Sequence, residues 1–256
     1  MEETESNSFG ASRGAFVRRL GEAGCGRDSG RVGTLDLLAR AGFPVPEGVV
    51  LTRRAHEEFL WTSGILPDIL AAAREGGDVR RRAAEIRAAH AASPVEGELN
   101  RAICEALIGL NAKAVVVLSE DLKKSGLMSI PEVRDAVRDV WLSLRGLERQ
   151  VEAAARGESL PTWPVLVQRE LSLQYTGWST TGEEVVPRGG PARRSPAGAT
   201  VALNDVEPAG EGGAEHKKSI AGFTLEARTV LGESVKIQWG LEDGRWYVLS
   251  ASSPRR

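Results

Sequence analysis

Most of the first 160 residues carry hydrophobic positions at helical spacing. Leucines and alanines in 34–41 repeat on one side of a predicted helix. Residues 67–110 are rich in alanine and in charge, and their apolar positions fit three helices with breaks near 76–77 and 93–94. A single long helix is predicted to start at Pro131, a residue type favoured in the first helical turn.

Uninterrupted apolar runs and alternating patterns predict strands elsewhere. "GVVLT" (48–52) and "KAVVVLS" (113–119) have the composition of buried strands. Beyond residue 160, "WPVLVQREL" and "QYTGWSTT" predict one hairpin, and a second one turns at Asp243–Gly244. A helix that ends at Gly232 precedes this second hairpin. The pattern therefore predicts an α+β fold with a helical first half and a sheet-rich second half.

The change of pattern near residue 160 also predicts how the chain is divided. We expect a disordered lead-in over 1–12, an N-terminal helical lobe over 13–159 and a C-terminal sheet-rich lobe over 160–256. A chain of 256 residues buries about 70–75% of the surface that its unfolded form exposes. The chain is thus long enough for one large domain of two lobes.

Composition excludes several classes of function. The formal net charge of −2 provides no basic surface for nucleic acid. Two cysteines, far apart in sequence, predict neither a disulfide framework nor a zinc site and favour a reducing compartment. The acidic start "MEETESNSFG" is unlike a signal peptide, and no apolar run is long enough to span a membrane. We therefore expect a cytoplasmic protein that binds neither nucleic acid nor a membrane.

Four segments, in the same order along the chain, resemble segments of one protein family. They are "SGRVGTLDLLARAGFPVPEGVVLT" (29–52), "VRDAVRDVWLSL" (133–144), "WPVLVQRELSLQYTGWSTT" (163–181) and "SVKIQWGLEDGRWYVLSASSP" (234–254). They resemble the N-terminal nucleotide-binding domain of phosphoenolpyruvate synthase, pyruvate phosphate dikinase and rifampicin phosphotransferase. The resemblance implies an ATP-grasp-like fold of two lobes with a cleft between them, in a shortened and degenerate form.

The first of these segments implies a phosphate contact. The family's phosphate-contacting lysine aligns with Arg31, and one glycine of its glycine pair aligns with Gly30. Arginine keeps the positive charge, but its planar guanidinium does not have the geometry of an ammonium group. Two interpretations stay open, which are phosphate contact and a surface arginine beside a helix start.

The family's second phosphate-binding segment is largely lost. Its arginine aligns with Leu118, which cannot donate a hydrogen bond to a phosphate, and its serines are reduced to Ser119. Glu120–Asp121 either correspond to an acidic pair of the family or form a solvated loop. Gly126 matches a family glycine of the same region, and the resemblance includes it among the nucleotide-binding residues.

The third segment implies an adenine contact. Gln168 aligns with a family glutamine, and the backbone that follows resembles a linker that contacts the base. Recognition by backbone groups tolerates changes of side chain, so Arg169, Glu170 and Leu171 are compatible with an adenine pocket. The alternative is that Gln168 only ends a strand.

The last segment argues against efficient phosphoryl transfer. The glutamate that resembles a magnesium ligand is replaced by Gln238, and the glutamine that resembles a second ligand is replaced by Ser250. Because Mg²⁺ favours carboxylates alongside the substrate phosphates, the two replacements make a magnesium site doubtful. Gln238 remains a candidate nucleotide contact, and we assign no catalytic residue.

Other basic residues and the three histidines receive no catalytic role. Arg188, Arg193 and Arg194 belong to a Gly/Pro/Arg segment that is predicted to be a solvated loop, and the alternative is that they bind an anion. His216 faintly resembles a phosphohistidine, but its spacing to the flanking glycines and isoleucine does not fit. His56 and His90 are predicted to lie on exposed, charged helix faces.

Three functions stay open at this stage. The first is a degenerate nucleotide-binding domain that holds ATP or another adenine nucleotide and acts as a regulatory or partner subunit. The second is an active ATP-dependent phosphotransferase that works with separate phosphohistidine and phosphoenolpyruvate- or pyruvate-binding proteins. The third is a protein-interaction scaffold without a nucleotide.

Overall fold

A computed structural model describes residues 15–120, 122–181, 193–194, 199–205, 213–232 and 234–252. The helices are α1 (Gly30–Arg40), α2 (Arg53–Thr62), α3 (Ile65–Glu75), α4 (Val79–Ala89), α5 (Gly97–Leu110), α6 (Ile130–Trp141), α7 (Leu144–Ala155) and α8 (Gly213–Leu231). The strands are β1 (Val17–Arg19), β2 (Gly48–Leu51), β3 (Val115–Leu118), β4 (Lys123–Leu127), β5 (Val165–Arg169), β6 (Tyr175–Thr181), β7 (Arg193–Arg194), β8 (Ala199–Asp205), β9 (Lys236–Glu242) and β10 (Arg245–Ser252).

Five strands form the first sheet, in the order β1-β2-β5-β3-β4. All neighbouring strands in it run antiparallel. The central strand is β5, which pairs with β2 through Val167 opposite Val49 and with β3 through Val167 opposite Val117. The strand that closes this sheet, β5, begins at Val165, well after β4 has ended at Leu127.

Both faces of the three central strands of the first sheet, β2, β5 and β3, are buried. One face carries Val49, Val117 and Val167, which belong to a hydrophobic cluster with side chains of helices α2 to α7. The opposite face carries Val50 and Val116, which belong to a second cluster with α1, α8 and the other sheet. Burial on both sides explains why these strands are uninterrupted apolar runs in the sequence.

The second sheet has the order β10-β9-β6-β8-β7 and is also antiparallel. Ile237 and Trp239 of β9 are fully buried in the cluster shared with α1 and α8. Gln238 and Lys236 point to the opposite side and are half-buried. The two sheets are therefore connected through a hydrophobic core to which α1 and α8 contribute side chains.

Most sequence predictions of elements are confirmed. The α+β class, the three helices over 65–110, the strand at 115–118 and the end of α8 before Gly232 all agree with the structure. The final hairpin turns at Asp243 and Gly244, which have φ values of 48° and 75°. Both residues adopt the positive φ that such a two-residue turn requires.

Three predictions of elements are wrong. Arg193 and Arg194, predicted to lie in a loop, form strand β7 and pair with β8. The predicted long helix consists of α6 and α7, separated at Leu142 and Ser143, where the backbone of Ser143 becomes extended (ψ 137°). The predicted hairpin of "WPVLVQREL" with "QYTGWSTT" does not form, because β5 lies in the first sheet and β6 in the second. No helix in the described part of the chain is long and apolar enough to cross a membrane.

Candidate functional site

The start of α1 is held by a carboxylate from a distant part of the chain. The backbone N–H of Arg31 donates a hydrogen bond of 2.8 Å to Oε2 of Glu120. Gly30 has a φ of 59°, and a Cβ at this position would lie 2.2 Å from the same oxygen. The positive φ favours glycine at this position, and the missing Cβ leaves the room that the Glu120 carboxylate occupies. Of the two interpretations of Glu120 made from the sequence, neither included this contact.

The loop before α1 is organised by a buried acid that sequence reasoning missed. Asp36 is fully buried, and its carboxylate accepts hydrogen bonds from the backbone N–H groups of Gly21, Ala23 and Cys25, at 2.7, 3.2 and 3.0 Å. Arg40 forms an ion pair with it at 2.9 Å. An aspartate among leucines, four residues before an arginine, is the signal that could have identified it.

The same loop packs tightly on the first turn of α1. A Cβ at Gly33 would lie 1.9 Å from the carbonyl oxygen of Gly26, so this glycine lets the loop backbone lie against the helix. Burial, and after it the charge of Asp36, raises the pKa of the Cys25 thiol to about 11. The thiol is accordingly protonated at neutral pH and is a poor nucleophile.

A cavity of about 280 Å³ lies beside the start of α1. Its lining comes from five separate segments of the chain and includes Arg27, Ser29, Gly30, Arg53, Glu120, Gly146, Arg149 and Trp163. Arg53 forms an ion pair with Asp28, another lining residue. Arg27 donates a hydrogen bond of 3.3 Å to the carbonyl oxygen of Val230, near the end of α8.

The predicted adenine residues lie at the end of the central strand. Gln168 is buried, and its Nε2 donates a hydrogen bond of 2.9 Å to the carbonyl oxygen of Pro46. Arg169 forms an ion pair of 2.9 Å with Glu242, and its guanidinium lies over the ring of Tyr247. These contacts connect the end of the first sheet with the β9–β10 hairpin.

Gly126 and Glu170, both predicted to belong to the site, contact each other. The backbone N–H of Gly126 donates a hydrogen bond of 2.6 Å to Oε2 of Glu170. Gly126 has a φ of 73°, which favours glycine. Leu171 follows directly and is half-buried. The structure thus brings together two residues that the sequence comparison placed in different motifs.

Gln238 and Ser250 are direct neighbours across the β9–β10 pair. Trp178 lies opposite Gln238 on the other side, in β6, and its ring lies beneath the ammonium of Lys236 at 4.5 Å. Gln238 and Ser250 are neutral, and Lys236 adds a positive charge to the same face. In the described part of the chain, no three His, Cys, Asp or Glu side chains cluster in a way that could hold a metal ion.

The predicted site residues thus form three groups. Gly30 and Arg31 lie at the start of α1, Gly126 and the segment 168–171 lie at the end of the first sheet, and Gln238 lies with Ser250 on the second sheet. Leu118, the position of the family's arginine, is buried in the core that joins the two sheets. Asp121 and Arg188 lie outside the described residues, and so do the side chains of Arg193, Arg194 and His216.

The prediction that His56 is exposed is wrong. His56 is fully buried, stacks on Trp141 at 5.4 Å between ring centroids, and accepts a hydrogen bond of 3.2 Å from the backbone N–H of Trp163 at its Nδ1. Burial lowers the pKa of His56 from 6.5 to about 3. His90 is half-buried, with Asp68 at 2.7 Å from Nε2. Tertiary packing of the tryptophans, which the local charge pattern does not reveal, explains the error at His56.

Comparison with known proteins yields structural similarities only. No protein-family profile and no curated protein matches the chain. The chain is similar to the D-alanine–D-alanine ligase of Bacillus anthracis complexed with ATP, with 11% identity and a TM-score of 0.42 over 86% of this chain and 51% of that one. The corresponding ligase of Coxiella burnetii has 8% identity and a TM-score of 0.42 over 86% and 46%.

The ATP-grasp ligase PsnB, complexed with its minimal precursor, is similar over 88% of this chain and 52% of that one, with 12% identity and a TM-score of 0.32. This chain therefore spans about half the length of the solved structures that it matches. Superpositions this loose carry no argument about what this chain does.

Proposed function

We propose that this chain is an ATP-grasp-like domain that binds an adenine nucleotide without efficient phosphoryl transfer and acts as a regulatory or partner subunit. The observation that carries the proposal is the cavity beside Gly30, which is lined by arginines from three segments of the chain, Arg27, Arg53 and Arg149, and by the start of α1. Guanidinium groups and the start of a helix both favour phosphate oxygens.

We further propose that the base meets the chain at Leu171, beyond the end of β5 opposite to the one at which Pro164 lines the cavity. The backbone N–H groups of Arg169 and Glu170 are already used within the first sheet, since they donate to the carbonyl oxygens of Glu47 and Ala114 at 2.8 and 2.9 Å. The base would therefore meet the chain after this point, where β5 ends. The buried Gln168 would support the segment from behind rather than touch the base.

Impaired transfer follows from the chemistry of the second sheet and of β3. Phosphoryl transfer depends on cations that neutralise developing charge and on oxygen ligands that hold Mg²⁺. Gln238 and Ser250 supply no negative charge, and Leu118 supplies no positive charge. None of these three residues can act as the magnesium ligand or the phosphate-contacting cation that the resemblance implies for an active enzyme. For this reason we favour a nucleotide-binding domain over an active phosphotransferase.

A protein-interaction scaffold is the second candidate. It is favoured by three large apolar side chains on the surface, Trp61, Ile108 and Met128, which are 73%, 70% and 77% exposed. Isolated surface hydrophobics are common, so this observation is weaker than the arginine-lined cavity.

Thermal unfolding with ATP, ADP and AMP, each with and without magnesium, tests the proposal. Nucleotide at 100 times its dissociation constant stabilises the folded state by about 2.7 kcal/mol, which is a rise in Tm of roughly 5–10 °C for a chain of this length. We expect a rise that does not depend on magnesium. Arg53→Ala removes an arginine that lines the cavity and should reduce the rise, whereas Arg101→Ala, at an exposed arginine of α5, should not.

The other outcomes point to the other functions. If millimolar nucleotide does not raise the Tm, the proposal is contradicted, and the protein-interaction scaffold becomes the favoured function. A rise that requires magnesium would favour the phosphotransferase, and AMP formation with a partner would then be the next measurement.

A further inference from the structure

The cavity beside α1 contains positive charge that no motif in the sequence predicts. Arg27 precedes α1, Arg53 begins α2 and Arg149 lies in the second turn of α7, yet all three line one cavity. Arg53 has Asp28 as an ion-pair partner. Among the described residues, Arg149 has no ion-pair partner, and it is exposed while it lines the cavity.

Three helices begin at this cavity, which adds to its positive potential. Ser29 and Gly30 open α1, Arg53 opens α2, and Ser143 and Gly146 belong to the start of α7. None of the three N-cap residues, which are Ser29, Thr52 and Ser143, caps its helix through its side chain. The first-turn N–H groups and the arginines therefore favour an anion at the same place.

The structure already places one anion there. The carboxylate of Glu120 lines the cavity and accepts the Arg31 N–H at 2.8 Å, 89 residues away in sequence. Gly30 has no Cβ, which is what lets Oε2 come this close to the helix start. Glu120 itself is exposed, so no packing holds its side chain in this position.

We propose that this cavity binds a phosphate-class oxyanion through Arg149, Arg53 and the start of α1, and that the anion displaces the carboxylate of Glu120. The oxyanion is either free, as phosphate or pyrophosphate, or the phosphate chain of a nucleotide. In the second case the inference rests on the proposed function. Glu120 acts as an intramolecular competitor, so the affinity of the site depends on where this one side chain lies.

Calorimetric titration of the full chain with pyrophosphate tests the inference, with ATP and AMP in parallel. Arg149→Gln removes one charge-assisted contact and should weaken pyrophosphate binding about tenfold. Glu120→Gln removes the competing charge and should tighten binding about two- to fivefold. Weaker binding by Arg149→Gln could also come from a folding defect, but tighter binding by Glu120→Gln could not. The second variant therefore controls for the first.

An exposed ion pair of α5 provides matched controls. Glu98 and Arg101 lie 3.6 Å apart, are 72% and 67% exposed, and do not line the cavity. Glu98→Gln and Arg101→Gln should leave pyrophosphate binding unchanged. If Arg149→Gln weakens ATP as much as pyrophosphate, the nucleotide is the source of the anion, and if it weakens pyrophosphate alone, the anion is free.

The inference is overturned if the wild-type chain does not bind pyrophosphate at millimolar concentration, even when ATP raises its Tm. It is also overturned if Arg149→Gln and Glu120→Gln bind pyrophosphate as the wild type does. Binding of pyrophosphate without any effect of ATP or AMP on Tm would instead support the inference and contradict the proposed function.

Discussion

The two sheets of this protein have five antiparallel strands each, yet they differ in what covers their faces. Strands β2 and β3 of the first sheet are buried at every position, between helices α2–α7 on one side and α1 with α8 on the other. Strand β9 of the second sheet alternates, with Ile237 and Trp239 buried and Lys236 and Gln238 half-buried. A sheet covered on both faces is built mainly for stability, whereas a sheet with one accessible face can present polar side chains.

The difference also separates the two kinds of candidate residue. Leu118 and Gln168 belong to the first sheet and are enclosed, the first in the core and the second against Pro46. Gln238 and Ser250 belong to the second sheet, where Gln238 keeps part of its surface accessible. The candidate residues taken from the resemblance are thus enclosed in the first sheet, whereas Gln238 of the second sheet is partly accessible.

The largest expected effect distinguishes the two faces of β9. Trp239→Ala empties a fully buried position and removes the indole N–H that donates to Ser179, so the free energy of unfolding should fall by about 3–5 kcal/mol. Gln238→Ala, one residue away on the other face, should change it by only about 0.5 kcal/mol. Urea unfolding of both variants measures the two values, and equal losses would contradict a one-sided second sheet.

The same test on the first sheet should give no such contrast. Val116 and Val117 are neighbours on opposite faces of β3, 7% and 0% exposed, and each belongs to a different hydrophobic cluster. Val116→Ala and Val117→Ala should each lower the free energy of unfolding by about 2–3 kcal/mol. A much smaller loss for Val116→Ala would mean that α1 and α8 do not cover that face.

The free energy of unfolding should depend on pH because His56, in the helical layer over the first sheet, is buried. The pKa of His56 is lowered from 6.5 to about 3 by burial, so the unfolded chain binds a proton between these values and the folded chain does not. Stability is therefore complete above about pH 6.5 and falls as the pH decreases. Between pH 7 and pH 5 the loss should be about 2 kcal/mol.

Urea unfolding at several pH values measures this loss in the wild type and in His56→Asn, where the slope above pH 5 should largely disappear. His90→Asn, at the end of α4, is the matched control and should keep the slope. An unchanged slope in His56→Asn would show that another group is responsible. Hydrogen exchange at pH 5 should show weaker protection near Trp141 and Trp163 than at pH 7.

Elements with a local chemical cause could be predicted from the sequence. The run "VVVL" is apolar throughout because β3 is buried on both faces. The Asp243–Gly244 turn has residue types that tolerate the positive φ that it requires. The break between α6 and α7 could not be predicted, because Leu142 and Ser143 include neither glycine nor proline.

Features that depend on distant partners could not be predicted. The placement of β5 between β2 and β3 is decided by pairing across more than 100 residues on one side. The burial of His56 depends on Trp141 and Trp163, and the contact of Glu120 with Arg31 joins a loop to a helix start 89 residues away. For the candidate site, the resemblance led to the prediction of a phosphate contact at the start of α1, which stays a prediction, and it did not include the arginines of α2 and α7 that line the cavity there.

The central position of β5 has a consequence for how the chain acquires its structure during synthesis. Strands β2 and β3 have no direct pairing with each other and are joined only through β5. A ribosome must therefore release the chain beyond Arg169 before the first sheet can close. Until then, the apolar strands at 48–51 and 115–118 lack the neighbour that satisfies their backbone groups, and they are exposed to chaperones and to other nascent chains.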